Sequence, residues 1–470
     1  MVNKMIGKSV REFTFKKKDT VVQMNDKAGV RIDGETVKID HQLLFQRLVS
    51  AANRTEETEL PQLFSYELCT HPPALFETPR LMRAADKPAL ANAMKSKDNP
   101  GLQPSRKEND KSHVIDGGML LQWIPWESGR TYGELCESYI QFVQSNFCNP
   151  IVVFDGYECG PSTKDSTHER RATGIVGTEV RFSDATGFRG KKKIFLANNK
   201  NKQQFINLLS AKMNEAGMQT LHATGDADVL IVLTAVRTSM SRCTVLIGDD
   251  TDLLVLLCYH ASAMSFPIYF QPRSKPHREA VSWDIHKLQG HLGADVCQNI
   301  LFIHAILGCD TTSKLHGFGK GVGLKLFDKS EPFRRAASVF NLSPENVSKD
   351  DIVESGEQLL VSLYKGVHGQ TLNAVRLASF TEKVAKSSIF IDPKLLPPTS
   401  DASKYHSLRV YLQVQDWKGI TSLDPTEWGW ENVGNKLCPT TTDRPPAPAH
   451  IMKIVRCTWQ TGCRTFSLLQ

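Results

Sequence analysis

The feature that most constrains this fold is a set of short β-branched runs, each ended by aspartate and separated by helical patterns. His113-Val114-Ile115 runs into Asp116-Gly117, and Ile151-Val152-Val153-Phe154 into Asp155-Gly156. Cys243–Ile247 is a third run, closed by Gly248-Asp249-Asp250-Thr251-Asp252, and Pro267–Phe270 is a fourth. Between them Gln203–Ala216 has helical periodicity and stops at Gly217. Asp226–Val236 reads as a helix with Asp226 as its N-cap. Strands alternating with helices imply an α/β fold with a parallel sheet.

The acids fall where such a sheet places function. Sites in open parallel sheets form beyond the carboxyl ends of the strands. Asp116, Asp155, Asp250 and Asp252 all follow strands, so they are expected on one rim. Asp226 and Asp228 stand at a helix start in Gly225-Asp226-Ala227-Asp228, and Asp310 follows an apolar helix in Leu307-Gly308-Cys309-Asp310. A lone Asp-Gly after a strand is usually a turn, and a lone Asp before a helix is usually a cap. Seven together would repel by several kcal/mol per close pair at ~4 Å. Bound cations relieve that repulsion, and an all-oxygen set favours Mg²⁺ or Mn²⁺. Two such ions are the usual device for phosphodiester hydrolysis.

Composition narrows the classes. The chain has 470 residues, 57 Lys and Arg against 50 Asp and Glu, and a net charge of +7. That mild excess suits a polyanionic partner. The longest apolar runs are far below the ~18–20 residues of a membrane helix, so no membrane partner is expected. Eleven cysteines without a CxxC, behind a basic N-terminus lacking an apolar core, imply reduced intracellular thiols. The nucleus is the expected compartment ahead of the cytoplasm.

Four regions are expected. Residues 1–110 form an extension without a chemistry-bearing motif, ending in the polar run 95–112. Residues 111–330 form the α/β domain. Residues 331–395 look helical and amphipathic. Residues 396–470 are rich in Pro, Thr and Trp and look irregular.

The ordered set Asp116, Val153-Phe154-Asp155-Gly156, Gly225-Asp226-Ala227-Asp228, Gly248-Asp249-Asp250-Thr251-Asp252 and Leu307-Gly308-Cys309-Asp310, followed by Gly317-Phe318-Gly319-Lys320-Gly321, resembles the flap endonuclease/XPG family of PIN-like nucleases. The resemblance spans residues 113–327. It implies a PIN-like core with a helical extension and a structure-selective, metal-dependent nuclease acting on DNA with branched or free 5′ ends. It implies that Asp116, Asp155, Asp226, Asp228, Asp250, Asp252 and Asp310 serve two Mg²⁺ (or Mn²⁺) ions, directly or through water.

By the same resemblance, Gly317, Gly319, Lys320, Gly321 and Lys325 form a DNA clamp. Glycine backbone and a helix N-terminus favour phosphate, and the lysines add sequence-independent charge. Lys164 and Arg171, seven apart, would share a helix face and stand over the scissile phosphate. The alternative for that stretch is a solvated charged helix, given Asp165 and Glu169. Two departures stand out: 115 residues precede Asp116, and the family's glutamate pair is here Asp226 and Asp228, each one methylene shorter. Two other functions remain open: a nuclease fold kept for nucleic-acid or protein binding with weak or lost catalysis, and a PIN-type ribonuclease acting on RNA.

Overall fold

A computed structural model describes residues 28–32, 35–39, 45–46, 48–49, 59–94, 111–157, 160, 162–164, 177–273, 282–386, 391–434 and 436–454. Six strands form the central sheet: β1 Ser112–Asp116, β2 Pro150–Phe154, β3 Gln219–His222, β4 Thr244–Ile247, β5 Ile268–Gln271 and β6 Trp283–Asp284. Their order is β6-β5-β4-β1-β2-β3. The first five are parallel, and β6 pairs antiparallel with β5 at the edge. The expected parallel α/β class is therefore present.

The register explains why these strands read as continuous apolar runs. Ile115 pairs with Val152 and Ile247, and all three enter one core. Their neighbours Val114, Val153 and Leu246 enter the other. Successive side chains point to opposite faces, so a strand covered on both faces is apolar at every position. Helices α1 (Lys87–Met94), α2 (Gly117–Trp123), α3 (Tyr132–Asn146), α4 (Asn199–Glu215), α5 (Asp228–Ser239), α6 (Thr251–His260), α7 (Ala294–Ile306), α8 (Lys320–Lys329) and α9 (Ser400–Trp417) matter for the site. Helices α3 and α4 cover the first face, and α1, α5, α6 and α7 join the second core.

The strand order reverses between β1 and β4. The chain builds outward through β2 and β3 on one side, then through β5 and β6 on the other. The crevice beyond this reversal is where open α/β sheets bind ligands.

Several expectations need correction. Strand β3 lacks a clear sequence signature because Gln219, Thr220 and His222 interrupt its apolar character at the sheet edge. Helix α5 begins at Asp228, and its N-cap is Ala227, with no side-chain cap. Asp226 is therefore not the cap. Residues 396–470 are not irregular throughout. Helix α9 runs 18 residues with buried faces all round, and its buried polar residues His406, Arg409, Gln413 and Gln415 mask its periodicity. The helical reading of 331–395 agrees with helices at Glu331–Phe340, Lys349–Leu363 and Leu372–Lys386. No described helix is long and apolar enough to cross a membrane.

Candidate metal centre and nucleic-acid interface

The rim is assembled by helix capping as much as by strand ends. Asp116 ends β1 and caps α2, accepting from the Met119 amide at 3.1 Å. Gly117 must be glycine here, since a Cβ would fall 2.3 Å from the Phe154 ring. Asp155, just past β2, accepts from the Ala227 amide at 3.1 Å through Oδ1 and from the Tyr157 hydroxyl at 2.8 Å through Oδ2. A Cβ on Gly118 would lie 3.0 Å from Asp155 Oδ2 and 3.2 Å from Asp116 Oδ1. The missing side chain thus leaves the space between two carboxylates open.

Asp250 caps α6 by accepting from the Asp252 amide at 3.0 Å. Asp252 is buried in the first turn of that helix. Asp310 joins them from the loop after α7. One carboxylate oxygen from each of Asp250, Asp252 and Asp310 lies within 4.8 Å of the others. All three donors are carboxylate oxygens, the chemistry that holds hard cations such as Mg²⁺ or Mn²⁺. Among the described residues this is the one acid cluster of that density.

A lysine stands among them. Lys87 Nζ donates to Asp252 Oδ2 and Asp310 Oδ2 at 2.8 Å and to both Asp250 oxygens at 3.1 Å. It comes from α1, in the extension whose sequence shows no chemistry-bearing motif. A second lysine serves the other pair: Lys164 Nζ lies 2.6 Å from Asp226 Oδ2 and 2.9 Å from Asp228 Oδ2. Lys164 therefore reaches the site from the turn after β2, whereas Arg171 lies outside the described residues.

Repulsion between carboxylates links the subclusters. Burial, then the nearby Asp155 charge, pushes the Asp116 carboxyl up to about 7, and Asp250 adds to this. Burial and Asp226 hold Asp228 well above the usual carboxylate range despite Lys164, with Asp250 and Asp252 contributing. Burial and Asp252 raise Asp250, with Asp310 adding to the effect. Burial alone would raise Asp252. Lys87 and His304 outweigh it and hold Asp252 well below the usual range. Burial would likewise lower both lysines, yet the surrounding carboxylates keep Lys87 and Lys164 raised and charged. All seven expected aspartates thus interact on one rim, as a tight triad, a pair flanking Gly118 and a pair on Lys164.

Support behind the triad was missed in the sequence. His304 in α7 is fully buried, with Nε2 2.8 Å from Asp252 Oδ1. Its Nδ1 lies 2.6 Å from Lys320 Nζ, which also donates to the His304 carbonyl at 3.2 Å. The ammonium can only donate, so Nδ1 accepts and Nε2–H points at Asp252. Burial, then Lys320, lowers the His304 ring to about 4 and keeps it neutral. Trp417 of α9 stacks on the ring at 5.4 Å. The only sequence signal was a histidine inside the apolar run Ile300–Leu307.

This corrects the reading of Lys320. It is 3% exposed and faces His304, so it does not present charge to a phosphate backbone. The rest of the Gly-rich stretch leads into helix α8. Gly317 takes φ +87° in the left-handed region, and neither it nor Gly319 has an atom near its Cβ position. Gly319 caps α8 without a side-chain bond, and Lys325 is exposed on that helix. Gly321 instead meets α1, with Ala93 at 3.4 Å from its Cβ position.

A family described as a domain of unknown function matches residues 1–67. No curated protein matches the chain. Among solved structures, the chain is similar to the catalytic core of Rad2 in complex with DNA substrate, at 15% identity and TM-score 0.36, covering 73% of this chain and 88% of that one. It is also similar to human GEN1 in complex with Holliday junction DNA, at 11% identity and TM-score 0.31, covering 69% and 77%. A third likeness is to a eukaryotic junction-resolving enzyme, GEN-1, binding with cesium, at 13% identity and TM-score 0.31, covering 65% and 70%.

Proposed function

We propose that the chain is a metal-dependent nuclease that hydrolyses DNA phosphodiesters at branched or free 5′ ends. The observation that carries this reading is the gathering of seven aspartates from five separate stretches of sequence into one interacting set, three of them with carboxylate oxygens within 4.8 Å. Asp250, Asp252 and Asp310 would hold one divalent cation. Asp116 and Asp155, with Asp226 and Asp228 across the rim, would hold a second directly or through water. Bound there, such cations supply water activation and neutralisation of the leaving oxygen.

The protein's own residues do the rest. Asp252 is kept ionised by its partners, and His304 fixes its orientation from behind. Hydrogen-bonded partners of this kind tune a ligand's position and basicity. Lys164, at the mouth of the Asp226/Asp228 pair, would stabilise negative charge developing on a phosphate. The α8 N-terminus with Gly317 and Gly319 offers backbone donors to a phosphate, and Lys325 adds charge.

A second reading rests on a specific observation. Lys87 and Lys164 already occupy the oxygens of two of the acid groups and offset part of their charge, an arrangement that would suit a nuclease fold that binds nucleic acid without cutting it. Cleavage of a labelled 5′-flap DNA with Mg²⁺ or Mn²⁺ decides between them. The nuclease cuts and the Asp250→Ala variant does not. Product formation no greater than in that variant would leave the binding module. Cutting of flap RNA in preference to DNA would favour the ribonuclease.

A further inference from the structure

We propose that Lys87 is an internal counter-cation that occupies the Asp250/Asp252/Asp310 triad and must swing out before a divalent cation binds there. The proposal rests on the reading of those aspartates as cation ligands.

The geometry is that of an ammonium standing in for an ion. Lys87 Nζ has three N–H donors, and three carboxylates surround it at 2.8 to 3.1 Å. An ion sharing those oxygens would stand beside the ammonium in one buried pocket, where like charges repel strongly. Lys87 and the cation therefore compete for the same oxygens.

The lysine is delivered there by packing. Leu90 and Met94, one and two turns further along α1, are fully buried in the core that also holds Leu253, Leu254 and Leu307. Ala93 seats against Gly321. The α1 backbone is thereby fixed beside α6 and α8, although Lys87 lies 163 residues before Asp250 in sequence. The four-carbon lysine stem is flexible, so the ammonium can leave the triad while α1 stays docked. When a binding-competent state is only partly populated, apparent affinity falls by that fraction. Lys87 thus sets how much free divalent cation the protein requires, and places that control in a helix that precedes the first strand of the central sheet.

The test is calorimetric titration of the full chain with Mn²⁺, comparing wild type with Lys87→Met and Lys87→Gln. Both variants remove the charge and keep much of the stem, and circular dichroism reports whether each folds. Wild type alone gives a second readout that needs no variant: amine labelling of Lys87 followed by mass spectrometry, with and without saturating Mn²⁺. We expect Mn²⁺ affinity to rise roughly tenfold or more in either folded variant, and Lys87 in wild type to label faster once Mn²⁺ is bound. Saturable Mn²⁺ binding to wild type that does not tighten in the variants, with Lys87 still protected, would overturn the role of Lys87 and leave the cation site standing. Absence of saturable binding in all three proteins would overturn the cation-site reading and this proposal together.

Discussion

The two lysine-bridged acid groups are alike in charge and unlike in construction. In one, Lys87 joins Asp250, Asp252 and Asp310, and its members come from α1, the start of α6 and the loop after α7. Behind it lies the buried chain of His304, Lys320 and Trp417. In the other, Lys164 joins Asp226 and Asp228, which sit two residues apart, and Asp226 is 31% exposed at its side chain. The first group depends on tertiary packing of remote helices. The second depends on one short loop tied to Asp155 through the Ala227 amide. The difference teaches that equal local charge can rest on unequal support, so the two groups should fail differently when a member is removed.

The largest effect is expected from Asp252→Ala. Removing one partner of a buried ion network strands the others, at a cost of about 3–5 kcal/mol. Chemical denaturation should show that loss, together with loss of Mn²⁺ binding. A cost below about 1 kcal/mol would break the claim that the triad is the better-supported group. Next comes Asp116, which lies between the groups and feels both Asp155 and Asp250. Its carboxyl is raised to about 7, so the metal-free fold prefers it protonated. That contribution is fully present below about pH 4, the ordinary carboxylate range, and is lost as pH rises through 7. Wild type should therefore lose on the order of a few kcal/mol relative to Asp116→Asn between pH 5 and pH 8 without metal. Parallel melting curves for the two proteins over that range would contradict this.

Asp226→Ala should cost no more than about 1 kcal/mol, since it leaves the Lys164–Asp228 pair in place and removes the Asp226 charge that raises Asp228. Equal losses for Asp226→Ala and Asp252→Ala would erase the distinction between the groups. The smallest effect belongs to Lys325→Ala. It should weaken DNA binding evenly across sequences and reduce the salt-dependence slope by about 1, as expected for one phosphate contact. The corresponding change at buried Lys320 should act on stability instead.

The same contrast explains what was legible in the sequence. Val152-Val153-Phe154 and Val245-Leu246-Ile247 announced their strands because both faces of the sheet are covered. The seven aspartates were legible because strand ends and helix starts recur in a fixed order along the chain. The family resemblance points to Lys164, but on a helix face shared with Arg171, whereas the structure has it in a turn, paired with Asp226 and with Asp228 64 residues away. Lys87 was not legible, because its partners lie more than 160 residues away and only the docking of α1 brings them together. His304 was hidden inside an apolar helix, where a histidine has no local signature. Helix α9 was hidden for the opposite reason: buried polar side chains blur its pattern, although His406 accounts for its place by bonding the Ile306 carbonyl at 3.1 Å. The reading of Lys320 failed because sequence gives a lysine's charge but not the direction in which its helix turns it.

The most direct test is anomalous diffraction from crystals of the full chain grown with Mn²⁺. We expect a manganese peak among Asp250, Asp252 and Asp310, with the Lys87 ammonium displaced from those oxygens. Lys87 still bridging the three carboxylates, with no manganese anywhere on the rim at saturating concentration, would contradict the claim that this cluster is a cation site.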